Sequence, residues 1–160
     1  MALIRDRNMS NAMRLSVWIC ALFSAGALWA QTAAQPPLPT VKLTINGKAL
    51  TAEVADDNTE RATGLMFREK LAEDSGMLFV MPRVEQATFW MRNTLVPLSV
   101  AYVDPTGTIL EIHDMKPRDE TPVQSRFPYV AYALEMDKGW FEKKGILPGD
   151  RIIGLPAGPR

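Results

Sequence analysis

The chain has 160 residues, room for one ordinary domain, with 18 Lys and Arg against 18 Asp and Glu and a single His. Residues 1–30 hold Arg5, Arg7 and Arg14 against Asp6 alone, so residues 31–160 carry 15 basic and 17 acidic groups and a net charge near −2. No basic surplus or basic run is present, which argues against nucleic acid as a partner.

Residues 1–30 have the parts of a secretory signal peptide: a basic flank ending at Arg14, an uncharged apolar run from Leu15 to Trp29, and small residues from Ala30 onward. The run is short for a bilayer span, so the expectation is export, periplasmic in a cell with two membranes and extracellular otherwise, with no membrane span after cleavage. Cleavage after Ala34, with Thr32 three residues back, fits the small-residue pattern better than cleavage after Ala30, and a retained anchor is the alternative. Cys20 lies in the apolar run, so the mature chain has no thiol for catalysis, disulfides or Cys-based zinc sites.

Gln31 to Thr40 is small, polar and proline-rich and reads as a tether, so a single β-rich domain is expected over 41–160. Val41, Leu43 and Ile45 alternate with Lys42 and Thr44, and Asn46-Gly47 supplies the positive φ angles of a tight hairpin before Leu50 to Ala55. Thr59 is positioned to cap a short helix over Glu60 to Phe67, with Gly64 weakening it. Strands are then predicted at Met77–Met81, Ala87–Met91, Ser99–Val103 and Thr108–His113, the last two joined by the turn Asp104-Pro105-Thr106-Gly107. Lys116 to Pro128, rich in proline and charge, reads as a long loop over one sheet face. A strand over Tyr129–Glu135, a short helix over Lys138–Lys144 and a strand over Arg151–Leu155 complete the pattern. In that helix, Trp140 and Phe141 read as a hydrophobic lid on the core, one of them partly exposed. Many short strands with little helix predict a mainly β fold, a β-sandwich or jelly-roll-like barrel with one or two short helices.

Five segments stand out as motifs: E-R-A-T-G-L-M-F-R (Glu60 to Arg68), G-M-L-F-V (Gly76 to Val80), F-W-M-R-N-T-L-V-P-L (Phe89 to Leu98), A-L-E (Ala133 to Glu135) and G-I-L-P-G-D (Gly145 to Asp150). In this order they resemble the bacterial and archaeal family called domain of unknown function 192, from about Val41 to Leu155. Arg92 departs from that family's more frequent Lys, keeping the charge and adding a planar donor fork. The resemblance implies a compact β domain of jelly-roll or sandwich type and no activity.

Three chemistries compete for the candidate residues. On a strand, Trp90 and Arg92 would share one face, an aromatic plate beside a guanidinium suited to a sugar ring or a carboxylate. Asn93 would fix the turn that follows. Glu135 closes the apolar run from Tyr129 and needs a partner if buried, with Arg61 and Arg92 as the available cations. This group, Trp90, Arg92, Asn93, Glu135 and Arg61, predicts noncovalent binding of a small polar or glycan-like ligand or of an envelope partner. A structural network in which Arg pairs with Glu and Trp90 simply packs is the competing reading. His113 and Met115, at spacing two, could instead ligate Cu(I), although methionine is also a common core filler. No other cofactor or metal is expected. A hydrolase would need His113 with Ser75, Ser99 or Ser125, none in a nucleophile elbow, or Glu135 paired with Asp114 or Glu111 across a gap of about 5 to 9 Å. No catalytic residue is assigned, and the inventory favours binding over catalysis.

Overall fold

The computed structural model describes residues 33–159. The expected signal peptide, Cys20 and the first two tether residues lie outside them. Strand β1 (Thr40–Ile45) turns at Asn46 (φ 48°) and Gly47 (φ 74°) into β2 (Lys48–Ala55), as the Asn-Gly pair predicts. Helix α1 (Asn58–Thr63) leads to the long β3 (Ser75–Glu85), which pairs in parallel with β2, so α1 belongs to the crossover that a parallel pair requires. Next come β4 (Thr88–Phe89), β5 (Leu98–Val103), β6 (Ile109–Met115), β7 (Val123–Gln124), β8 (Val130–Asp137), α2 (Trp140–Lys143) and β9 (Ile152–Ile153).

Seven strands form one sheet in the order β6-β5-β8-β3-β2-β1-β9, curled into a half-barrel, while β4 and β7 make a separate two-stranded ribbon. The edges β6 and β9 meet at one end. Thr108 bridges Arg151, and Ile109 N–H donates to Asp150 O and Ile152 N–H to Gly107 O, each at 2.8 Å. This end is thereby closed against edge-to-edge pairing. The mainly β architecture expected from the sequence is the one observed.

Alternation sends β3 and β8 side chains to two separate apolar clusters. Leu78, Leu134 and Met136 join Leu43, Ile45, Phe141 and Ile146 on one face. Met77, Phe79 and Ala133 join Leu65, Met91, Val100 and Tyr102 on the other. Helix α2 closes the first face, and both Trp140 and Phe141 are buried, so neither is the partly exposed aromatic the sequence suggested. Trp140 Nε1 donates to Asp74 Oδ1 at 2.8 Å, and Lys144 Nζ lies 2.7 Å from the same oxygen.

Local differences from the sequence reading have local causes. The cap of α1 is Asp57, not Thr59, because Asp57 and Glu60 form a reciprocal capping box, and the helix stops at Thr63 because Gly64 takes φ 50°. The strand expected over Ala87–Met91 is only Thr88–Phe89: Met91 N–H donates to Asp119 O at 2.8 Å, away from any ladder, and Asn93 turns the chain at φ 54°. The loop after Lys116 contains β7. Within the proline-rich segment, Gln35 Nε2 donates to Gly64 O at 2.9 Å and Leu38 N–H to Glu53 Oε2 at 2.8 Å, so that stretch is docked on the domain.

On β3, Gly76 stands opposite Met136 of β8. A Cβ there would stand 2.1 Å from the Glu135 carbonyl oxygen and 2.4 Å from Met136 Sδ. Gly76→Ala is therefore expected to cost about 3 kcal/mol or more, read as a lowered urea midpoint; a shift under about 1 kcal/mol would show that the two strands separate freely.

Candidate functional site

The second apolar face has an incomplete cover. Between the end of α1, β3 and the β4 ribbon lies a cavity of about 330 Å³, lined by Arg61 to Met66, Phe79, Met81, Thr88, Phe89, Trp90, Thr94 and Glu135. Three of the residues singled out from the sequence, Arg61, Trp90 and Glu135, line this one space.

Glu135 forms part of the wall because of its position on β8. Its cross-strand neighbours are Met77 on β3 and Val100 on β5, and its side chain points to the same face as theirs. It is 4% exposed, and among the described residues its carboxyl group has neither a hydrogen-bond nor an ion-pair partner. Burial alone pushes the carboxyl up to about 8, leaving it protonated at neutral pH. As a neutral acid it offers one donor and one acceptor inside an apolar wall.

Arg61 does not neutralise it. Its Nη1 donates to the carbonyl oxygens of Asp56 and, at 2.9 Å, Val80, and its Nη2 to Asn58 Oδ1 at 2.6 Å. The guanidinium thus ties α1 to the middle of β3, Arg61 lines the cavity, and among the described residues no carboxylate lies within ion-pair distance of it.

Trp90 stands at the mouth, 46% exposed. Exposed Arg92 sets its guanidinium carbon 5.7 Å from the Trp90 ring centroid, a cation–π contact, and it too has no carboxylate partner among the described residues. The pairing foreseen from strand alternation is present, but a turn produces it, since the strand ends at Phe89. Asn93 is outside the cavity; its carbonyl accepts Phe67 N–H at 2.9 Å, which holds the Gly64 to Phe67 segment against the turn. The aromatic wall continues inward, with Phe79 and Phe89 edge to face at 4.9 Å and Phe89 against Tyr102 at 5.8 Å.

Of the residues of the competing chemistries, His113, Met115 and Glu111 lie further along the same face, whereas Ser99 and Asp114 alternate to the other. His113 Nε2 is 2.8 Å from Glu111 Oε2, and Glu111 also accepts Arg126 N–H at 2.6 Å. The serines are engaged elsewhere: Ser99 Oγ donates to Asp114 at 2.5 Å, Ser125 Oγ to Phe127 O at 2.9 Å and Ser75 Oγ to Glu73 O at 3.4 Å. Met115 is 2% exposed within the second cluster, and among the described residues no group of three or more His, Cys, Asp or Glu is arranged to hold a metal ion. Glu135 and Glu111 both act on Tyr102, whose phenol is raised first by burial and then by those two charges.

The sequence reading missed Leu65, Met66, Phe79, Met81, Phe89 and Thr94 as lining residues. Their signal was the motif segments themselves: Glu60–Arg68, Gly76–Val80, Phe89–Leu98 and Ala133–Glu135 supply every lining residue except Met81 and Thr88.

Comparison with known proteins gives a consistent picture. The model of the family DUF192, described as "Uncharacterized ACR", matches residues 41–154. A crystal structure of a candidate transcription regulator from Sinorhizobium meliloti aligns with TM-score 0.71 and 35% identity, covering 76% of this chain and 98% of that one. A protein of unknown function from Novosphingobium aromaticivorans aligns with TM-score 0.67 and 35% identity, covering 78% and 93%. No curated protein matches the chain.

The buried acid makes stability depend on pH. Below the ordinary value of 4.5 both folded and unfolded chains hold the proton. From there to about 8 the unfolded chain releases it and the folded chain keeps it, so stability falls as pH rises, by about 5 kcal/mol at most. Glu135→Gln, neutral throughout, is expected to match the wild type near pH 4 and to exceed its melting temperature at pH 9. Equal pH slopes in the two proteins would mean that Glu135 ionises freely when folded.

Proposed function

The chain belongs to the DUF192 family, whose function is unknown, and on that premise we propose from its own residues that it is a small binding domain. The cavity between α1, β3 and β4 takes a ligand with an apolar or aromatic body and at least one polar group. The observation that carries this reading is Glu135: a carboxyl buried on an apolar face, lining a cavity and without a partner among the described residues, costs stability that a purely structural residue need not. Leu65, Met66, Phe79 and Phe89 offer the apolar walls, and Trp90 at the mouth offers a ring face that is already half free. Nothing in this arrangement requires turnover, since the polar groups of the cavity suffice to orient a ligand and none is paired as a nucleophile with a base.

The basic flank and apolar run within residues 1–30 support export, so the ligand is one met in the cell envelope or outside the cell. A regulator role carried over from the Sinorhizobium relative would need a nucleic-acid surface, and the net charge of residues 31–160 speaks against one.

Fragments bearing indole, benzyl and pyranose groups, screened at millimolar concentration by amide chemical shifts, are expected to perturb Gly64, Leu65, Met66 and Glu135 together. Trp90→Ala should fold with little change in stability, because the ring is half exposed, and should weaken such binding about tenfold or more. Perturbations scattered over the surface, or unchanged affinity in Trp90→Ala, would sink the cavity as the binding site.

A further inference from the structure

The charges around the cavity narrow the class of ligand. Arg61 lines the cavity, and among the described residues its guanidinium is hydrogen-bonded to two backbone carbonyls and an Asn side chain. Arg92, which does not itself line the cavity, adds a second cation against the ring of the lining residue Trp90. Resting on the binding reading above, we infer that the ligand is a small organic anion, a carboxylate on an aromatic or apolar body, with its ring among Phe79, Phe89 and Trp90 and its carboxylate directed to Arg61 and the Glu135 carboxyl group.

Three considerations favour an anion over the alternatives. Neither guanidinium has a carboxylate within ion-pair distance among the described residues, and half-buried Arg61 lines the cavity, so an anion bound there meets an opposite charge. The acid at Glu135, pushed up to about 8 by burial, is a hydrogen-bond donor at neutral pH, and a bond from a carboxylic acid to a carboxylate is charge-assisted and short. An ammonium ligand would meet both arginines as like charges. A neutral amide could use Glu135 but would leave both guanidinium charges unmatched.

The sign of the pH response separates these classes. The ionisable groups around Glu135 are Arg61 on α1, Tyr102 on β5, whose phenol is itself raised, and Glu111 on β6 with His113 bonded to it; β3 contributes apolar Met77. None of these supplies Glu135 with a partner that would hold it ionised. Bound anion and protonated Glu135 favour each other, so affinity is lost as pH rises through the Glu135 titration. A cationic ligand would show the opposite trend, since it favours the ionised carboxylate.

The test uses three near-isosteric probes, 3-phenylpropanoate, 3-phenylpropanamide and 3-phenylpropan-1-amine, titrated into the purified protein with amide chemical shifts and calorimetry near pH 7 and near pH 9.5. The expected result is binding of the propanoate at least tenfold tighter than the amine, with its affinity falling about tenfold or more between the two pH values. Glu135→Gln should still bind the propanoate but lose that pH dependence, and Arg92→Gln, altered at an exposed position, should weaken it several-fold. Preference for the amine or the amide at Gly64, Leu65 and Met66 overturns the anion assignment while leaving the cavity reading intact. Silence at those amides with all three probes overturns both.

Discussion

Strand β8 runs between β3 and β5, and every side chain it carries from Val130 to Met136 is buried. Two covers are therefore needed, one for each face of the sheet. The first is made by the curl of the sheet itself together with α2, and its cluster is wholly apolar. The second is assembled from short pieces: the end of α1, the β4–β7 ribbon, and the turn through Asn93. Such pieces pack less completely than a sheet face, and the space they leave is the cavity. Glu135 is the residue of β8 whose alternation delivers it there.

This arrangement accounts for the way Arg61 is used. A guanidinium near a buried carboxyl would be expected to pair with it. Here its donors are instead directed at the backbone oxygens of Asp56 and Val80, where they tie the crossover helix to the strand. The consequence is a fixed positive charge and a separate neutral acid in one cavity, which is a polarity that a ligand can satisfy and the protein by itself does not. In place of the Arg–Glu pairing of the competing reading, Arg61 and Glu135 are two separate groups on one cavity.

Much of the fold was legible in local sequence. The Asn46-Gly47 turn, the Asp104 to Gly107 turn and the apolar runs of β3, β5 and β8 declare themselves, because turn chemistry and hydrophobic runs are properties of neighbouring residues. Asp57 with Glu60 three residues later has the spacing of a capping box, which the reading of Thr59 as the cap passed over. The ribbon β4–β7 was not legible, since Thr88 and Phe89 find their partners Gln124 and Val123 more than thirty residues away, and two residues on each side leave no periodic trace. The same distance in sequence hid Phe79 and Met66 from the list of site residues, although their motifs were visible.

The sequence by itself determined the residue chemistry, the strand-rich class and the family motifs: these depend on side-chain type and spacing along the chain, which folding does not alter. Tertiary structure alone decided that Arg61, Trp90 and Glu135 share one cavity, that Asn93 does not, and that Glu135 has no partner among the described residues. The physical reason is that burial and pairing are set by neighbours on other strands. A carboxylate's cost, and so its protonation and its use, belongs to the environment that β3, β5 and α1 build around it.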